Sequence, residues 1–163
     1  MRTCKINSGR TIDAWHVADN LRKEDSEEVY LTFGSDPRYY VKQCWILTPE
    51  DLRWIFYVDN EPAAIFGCAP RSMLKIDQAV PWFLGSPLME KAKWSFVKAT
   101  PKYINIMLDH YEYLENFVWA EYKASIMWMK WAGFTEGKTG KFGPFDAPFT
   151  RFYTHRDIYP RRK

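Results

Sequence analysis

The sequence predicts a mixed α/β fold in which helices alternate with β-hairpins. Residues 116–134, NFVWAEYKASIMWMKWAGF, are typical of a short buried strand, a turn and an amphipathic helix that ends at a Gly-Phe pair. Residues 52–68 contain two β-rich runs on either side of the turn residues Asp59-Asn60-Glu61-Pro62. Because helical and strand patterns interleave, the order excludes an all-β sandwich and an all-helical bundle.

The first third of the chain predicts one strand and two helical segments. A short strand is expected within residues 5–12, and residues 14–33 carry apolar side chains at helical spacing. The charged run LRKEDSEE interrupts that spacing, so we expect it on a solvated face or at a helix break. Residues 34–37, Gly-Ser-Asp-Pro, form a turn before a second helix over residues 38–47.

The middle of the chain predicts strands and then a broken helix. Residues 69–72, Ala-Pro-Arg-Ser, are expected to interrupt the second strand of the hairpin, and residues 79–84 form a further strand that stops at Gly85. Ser86 and Pro87 predict a helix start, with serine as N-cap and proline at the first helical position. Pro101 predicts a break or kink in that helix.

The last third of the chain again alternates strands with a helix. A strand is expected over residues 117–120 and a helix over residues 123–132, closed by Gly133. Residues 134–153 predict two strands joined by a loop rich in glycine and proline. No linker divides the chain, so residues 1–163 are expected to form a single domain, with a basic tail over residues 156–163.

Composition limits the classes of function. The net charge of +3 argues against a nucleic-acid partner, and the basic tail is expected to be solvated. The three cysteines lack CxxC spacing and the three histidines are scattered, so no metal site is predicted. No window is long and apolar enough to span a membrane. The 18% of aromatic residues are expected mainly in the core, with lining of a groove or interface as the alternative.

The predicted order of elements resembles the GNAT superfamily of acyl-CoA N-acyltransferases over nearly the whole chain. More narrowly, the motifs PWFLGSP, LENFVWAEYKASIMWMKWAGF and PFTRFY resemble the internal virion protein A family of GNAT-like proteins from short-tailed bacteriophages. The resemblance implies a central, mostly antiparallel sheet of six or seven strands flanked by helices. It also implies a V-shaped splay between strands 4 and 5.

The resemblance places an acyl-CoA site in that splay. GNAT enzymes insert the pantetheine arm between the two strands and rest the pyrophosphate on backbone N–H groups after strand 4, in a loop of the form R/Q-x-x-G-x-G/A. The matching segment here is LGSPL, which keeps one glycine and replaces one N–H donor with Pro87. A plain helix cap and a weakened phosphate site both stay open. The cofactor-binding residues implied by the resemblance are Leu84, Gly85, Ser86, Leu88, Trp119, Ser125 and Trp128.

The catalytic groups of the family have no direct counterparts. Where GNAT enzymes often carry a tyrosine as general acid, this chain has Met129, which has no proton to donate. Tyr122 is the nearest phenol, and a role as core filler is the alternative. Residues 79–84 contain no carboxylate for a general base. Asp77 and Glu61 are the nearest carboxylates, and Asp77 is taken as the candidate, with a plain turn role as the alternative for either.

These departures lead to a functional hypothesis. The chain is expected to be a phage GNAT-like protein with a degenerate acetyl-CoA site, at which binding is weak or absent. It would act in virion assembly or through contact with a host or phage protein, in the host cytoplasm or with the virion. The alternative is an active N-acetyltransferase that transfers acetyl from acetyl-CoA to an amine of a host protein or small molecule.

Overall fold

The computed structural model describes residues 1–161, which contain seven strands and five α-helices. The strands are β1 (Cys4–Asn7), β2 (Arg53–Val58), β3 (Glu61–Ser72), β4 (Lys75–Gly85), β5 (Tyr113–Trp119), β6 (Thr135–Phe142) and β7 (Ala147–His155). The helices are α1 (Thr11–Asp19), α2 (Lys23–Phe33), α3 (Pro37–Leu47), α4 (Lys93–His110) and α5 (Lys123–Trp131). Two short 3-10 helices occupy Glu50–Leu52 and Pro87–Lys91.

The strands form one sheet in the order β1-β2-β3-β4-β5-β7-β6. Every neighbouring pair is antiparallel except β4 and β5, which run parallel. Those two strands pair only at Gln78 with Tyr113 and at Ala79 with Leu114, and they diverge beyond that point. The predicted sheet and the predicted splay between strands 4 and 5 are therefore confirmed.

Each face of the sheet is covered by helices. Side chains of successive strand residues point to opposite faces, so Ile55 of β2 packs under α1, α2 and α3, whereas Phe56 packs under α4 and α5. Two hydrophobic cores result, one on each side of the sheet. Among residues 1–161, no helix is both long enough and apolar enough to cross a bilayer.

Strand β3 departs from the expected break at residues 69–72. It continues through Pro70 to Ser72, with a register irregularity between them, and the turn to β4 lies at Met73 and Leu74. Pro70 lies beyond Gly67, the last residue of β3 that pairs along β2. The strand has a single neighbour there, and such an edge tolerates a proline that lacks an N–H donor.

The predicted helix after Gly85 is also organised differently. The hydroxyl of Ser86 donates to the carbonyl oxygen of Ala63 and does not cap a helix. The chain bends at Ala92, and α4 then runs without interruption through Pro101. The expected break at Pro101 is wrong because this residue is buried against the sheet, where its packing offsets the lost backbone hydrogen bond.

Strand β5 begins at Tyr113, four residues earlier than the strand expected at 117–120. The sequence analysis missed the first half of β5 because Glu115 and Asn116 are polar. The carboxylate of Glu115 is buried and forms ion pairs with Arg71 and Arg151.

The described part of the predicted basic tail lies against α4 and the end of α5. Arg156 donates from Nε to the carbonyl oxygen of Leu108, and the hydroxyl of the buried Tyr159 donates to the carbonyl oxygen of Ala132. Arg162 and Lys163 lie outside the described residues.

Candidate functional site

A cavity of about 210 Å³ lies where β4 and β5 diverge. Its walls come from both strands and from α2, α4 and α5. Buried apolar side chains, among them Phe66, Ile104 and Met107, line one part of it. Charged side chains line the part next to α2. We call this cavity the notch.

One side chain bridges the diverging strands. The amide Nδ2 of Asn116 on β5 donates to the carbonyl oxygen of Pro81 on β4 at 2.7 Å. Along a strand, alternate residues direct their backbone N–H and C=O groups toward the same edge. Phe83 and Gly85 therefore direct both groups toward the notch, as Pro81 directs its carbonyl oxygen.

Two carboxylates of α2 accept hydrogen bonds from backbone amides at the open end of the notch. Asp25 accepts a hydrogen bond from the N–H of Gly85, the last residue of β4, at 2.7 Å. Glu28 accepts one from the N–H of Trp119, the last residue of β5, at 3.0 Å. One turn of helix thus joins the ends of the two splayed strands.

Asp25 is the centre of a buried polar cluster. Arg22 holds its carboxylate with Nε at 3.0 Å and Nη2 at 2.9 Å, and the Tyr122 hydroxyl donates to it at 2.8 Å. Burial raises the pKa of Asp25, and the charge of Arg22, the N–H of Gly85 and the Tyr122 hydroxyl oppose that rise. Because all of these partners donate, the cluster is satisfied with Asp25 ionised.

Glu28 lies in a different electrostatic environment. Burial raises its pKa to about 8; the Trp119 N–H opposes this rise, and the charge of Asp25 adds to it. Both protonation states of Glu28 are therefore populated near neutral pH, as a general base requires. Burial and the charge of Asp25 also raise the pKa of Tyr122, so its hydroxyl keeps its proton.

The turn after β4 offers few free amides. The N–H of Gly85 is bound by Asp25, the N–H of Ser86 donates to the carbonyl oxygen of Ala63 at 2.8 Å, and Pro87 has no N–H. The nearby Glu90 pairs with Arg22 at 3.3 Å and adds a negative charge. An anion at this turn would find acidic neighbours and occupied donors.

Three of the residues expected from the sequence line the notch. Tyr122 precedes α5, while Ser125 and Trp128 lie on that helix. The indole Nε1 of Trp128 is buried and has no hydrogen-bond partner among residues 1–161.

The other expected site residues lie around the notch or away from it. Leu84 packs in the core beneath α1, α2 and α3, and Leu88 packs against the opposite core. Trp119 participates through its backbone N–H. Asp77 is exposed near the β3–β4 turn, toward the opposite end of β4 from Gly85. The structure does not bring Asp77 to the notch.

The sequence interpretation missed Arg22, Asp25 and Glu28. They belong to the charged run expected on a solvated face or at a helix break. A break does separate α1 from α2, but these three side chains line the notch. Their three-residue spacing places them along one side of the helix, and that spacing was the available signal. Among the described residues, no group of three or more acidic, histidine or cysteine side chains could hold a metal ion.

The sheet order and the splayed parallel pair define the GNAT acetyltransferase fold, and solved structures agree. A GNAT-family acetyltransferase from Bacillus anthracis is similar, with a TM-score of 0.66 and 11% identity over 94% of this chain and 95% of that one. Ard1 from Thermoplasma volcanium matches with a TM-score of 0.68 and 9% identity over 93% and 97%. YncA from Salmonella typhimurium, solved with its cofactor acetyl-CoA, matches with a TM-score of 0.62 and 10% identity over 96% of each chain.

A narrower similarity is to a bacteriophage protein family. Residues 77–137 match the model of a family described as "Bacteriophage T7, probable scaffold protein Gp13". The match runs from β4 to the start of β6 and so includes α4, β5 and α5. No curated protein sequence matches the chain.

Proposed function

We propose that the chain is a bacteriophage protein with the GNAT fold and a degenerate acetyl-CoA site, and that it acts in virion assembly or by binding a host protein. The occupied amides after β4 carry this proposal. Gly85 and Ser86 donate their N–H groups to Asp25 and Ala63, and Pro87 has none to offer. A diphosphate at this turn would have to displace bonds that the chain makes with itself.

The charged side chains around this turn also disfavour binding of a diphosphate. Asp25 and Glu90 lie beside the turn, and both pair with Arg22. Lys93, which also lines the notch, pairs with Glu90 at 3.7 Å. These cations therefore already have anionic partners within the chain.

The residues present fit the neutral arm of an acyl-CoA better than they fit its nucleotide end. That arm would lie beside the notch-facing N–H of Phe83, since the N–H of Gly85 is bound by Asp25 and Pro81 has none.

The role in assembly or host contact rests on the similarity of residues 77–137 to the phage scaffold-protein family. The test is mass spectrometry of purified phage particles and of proteins recovered with a tagged chain from infected cells. We expect the chain in particles, or one specific protein partner. Absence of both, together with turnover of acetyl-CoA by the purified chain, would reverse the proposal.

One observation favours a second function, that of an active N-acetyltransferase. Glu28, with its pKa of about 8, and the phenol of Tyr122 line the same notch. Glu28 would accept the proton of an attacking amine. Tyr122 would supply a proton to the departing thiolate only by giving up its hydrogen bond to Asp25. Asp77 lies outside the notch, and we propose it only as an alternative base.

This second function has its own test. Acetylation of amines would be followed by mass spectrometry in the wild-type chain and in Glu28→Gln, Tyr122→Phe and Asp77→Asn variants. The enzyme hypothesis predicts a loss of about 100-fold or more in Glu28→Gln. No acetylated product from the wild-type chain would rule it out.

A further inference from the structure

The hairpin between β3 and β4 projects beyond the rest of the sheet. Strand β3 has no β2 neighbour beyond Gly67, and β4 pairs with β5 only from Gln78 onward. Within the described part of the chain, residues 71–77 therefore have no other strand beside their own hairpin. We call residues 71–77 the hairpin tip.

Three large apolar side chains of the hairpin tip lie in solvent. They are Met73, Leu74 and Ile76, which are 95%, 95% and 80% exposed. Apart from Met1, they are the most exposed large apolar side chains of residues 1–161. Single exposed apolar residues are ordinary, but three within four positions form an apolar patch, which is typical of a surface that another molecule covers.

A pair of arginines lies at the base of the hairpin tip. Arg71, at the register irregularity of β3, reaches across β4 to Glu115 on β5, with its Nη1 2.5 Å from Oε1. Arg151 on β7 holds the other oxygen of the same carboxylate, with its Nε 2.6 Å from Oε2. Because these two nitrogens bind one carboxylate, they lie within about 7 Å of each other.

This pair carries more positive charge than the chain compensates. Glu115 is buried, and although burial favours its neutral form, hydrogen bonds from Tyr113 and Arg151 and the charges of both arginines lower its pKa below the ordinary value. One carboxylate thus faces two guanidiniums, whose side chains are 36% and 38% exposed. Among residues 1–161, no other carboxylate pairs with either arginine, and the exposed charges of Lys75 and Asp77 on the hairpin tip cancel.

The arginines keep donors for a second carboxylate. The Nη2 of Arg151 donates to the Tyr113 hydroxyl at 2.6 Å, and its guanidinium lies 4.1 Å from the centre of the Tyr153 ring, so it is held in place. Its Nη1, and the Nε and Nη2 of Arg71, have no acceptor among the described residues. A carboxylate from another molecule would accept from these groups and make two anions face two cations.

We propose that the hairpin tip and the pair of Arg71 and Arg151 form one docking surface for a segment of another protein in which an acidic residue stands next to apolar residues. The acidic side chain would bind the unused guanidinium donors, and the apolar side chains would cover Met73, Leu74 and Ile76. An apolar centre beside a charged rim is the usual composition of a protein interface. The inference rests on the proposed role in assembly or host contact and names the surface and the partner chemistry for it.

The experiment is a titration of the ¹⁵N-labelled full chain with the peptide acetyl-Leu-Asp-Leu-Asp-Leu-amide, followed by the backbone amide shifts of residues 71–77. We expect saturable shifts with a dissociation constant of about 1 mM or tighter. Peptides with Asn in place of Asp, or with Gly in place of Leu, should each bind at least about fivefold more weakly. No shifts at residues 71–77, or equal affinity for either of these two peptides, would overturn the inference.

Two variants test the two halves of the surface. Arg71→Gln removes one cation and leaves Glu115 with Arg151, and Leu74→Ser removes apolar area without touching the ion pairs. We expect each to bind the Leu-Asp peptide about fivefold more weakly, with cooperative thermal unfolding retained. Arg38→Gln and Ile12→Ser, at exposed positions of α3 and α1, are the matched controls and should bind as the wild type does. Wild-type affinity in Arg71→Gln or Leu74→Ser would contradict the assigned surface.

Recovery of tagged chains from infected cells separates this inference from the proposed function. Loss of the wild-type partner in Leu74→Ser, but not in Ile12→Ser, would support the docking surface. Equal recovery of that partner by Leu74→Ser would overturn the surface and leave the proposed function standing. Absence of the wild-type chain from particles and of any partner would overturn the proposed function, and the peptide titration would still decide the chemistry of the surface.

Discussion

Asp25 and Glu28 lie one helical turn apart on α2 and accept the terminal amides of the two strands that splay, those of Gly85 and Trp119. The chain thereby supplies its own anionic groups at the open end of the notch. The same two bonds hold β4 and β5 at a fixed separation where direct pairing between them has ended.

The first prediction concerns Asp25. Asp25→Asn removes the buried negative charge that holds Arg22 and leaves the largely buried guanidinium with only the exposed Glu90 as an anionic partner, which is costly. We expect a loss of about 3–5 kcal/mol in the free energy of unfolding, measured by urea denaturation. Glu24→Gln, an exposed change in the same helix, is the control and should shift stability by less than about 0.5 kcal/mol. Similar losses in both variants would contradict the account.

The second prediction concerns the pH dependence set by Glu28. Its folded-state pKa of about 8 is above the ordinary 4.5, so between these values the folded chain binds a proton that the unfolded chain has lost. The contribution of Glu28 to stability is therefore present at low pH and falls as pH rises from about 4.5 to 8, by at most about 1.4 kcal/mol per pH unit.

Glu28→Gln keeps an oxygen for the Trp119 N–H and removes the titration. Urea denaturation at pH 5, 6, 7 and 8 should show a flatter pH profile than the wild type, with a relative gain in stability at pH 8. Glu27→Gln, at an exposed position beside it, should keep the wild-type slope. Parallel profiles for Glu28→Gln and wild type would refute the assigned pKa.

The third prediction concerns the bridge across the notch. Asn116→Ala removes the hydrogen bond to the carbonyl oxygen of Pro81 and leaves that oxygen without its side-chain partner. We expect a loss of about 1–3 kcal/mol and faster hydrogen exchange of the Phe83 amide. Asn20→Ala, which removes a bond to the carbonyl oxygen of His16 at the end of α1, should leave exchange at Phe83 unchanged. Equal exchange in both variants would show that Asn116 does not hold the strands.

Much of the fold could be predicted because its signals are local. The hairpin of β2 and β3 and the segment from β5 to Gly133 follow from periodicity and turn residues, and Gly133 indeed adopts a positive φ of 101°. Pro101 misled because a local rule, the helix-breaking effect of proline, was outweighed by packing of α4 on the sheet. That packing is not visible in a single stretch of sequence.

The site was less accessible to sequence reasoning for a related reason. Gly85 was placed at the site because LGSPL resembles the phosphate-binding loop of GNAT enzymes. Asp25 and Glu28 were not found because their partners lie 60 and 91 residues away. In the sequence alone, a run of acidic and basic residues predicts a solvent-exposed helix face. Only the sheet topology brings them to the ends of β4 and β5.

At the end of β4 the amides of Gly85 and Ser86 are already used and Pro87 has none, and we expect that this turn does not grip a nucleotide. Calorimetric titration of the wild-type chain with acetyl-CoA tests it most directly. We expect a dissociation constant near or above about 1 mM, or no measurable heat. Saturable binding with a dissociation constant of about 10 µM or tighter would contradict it.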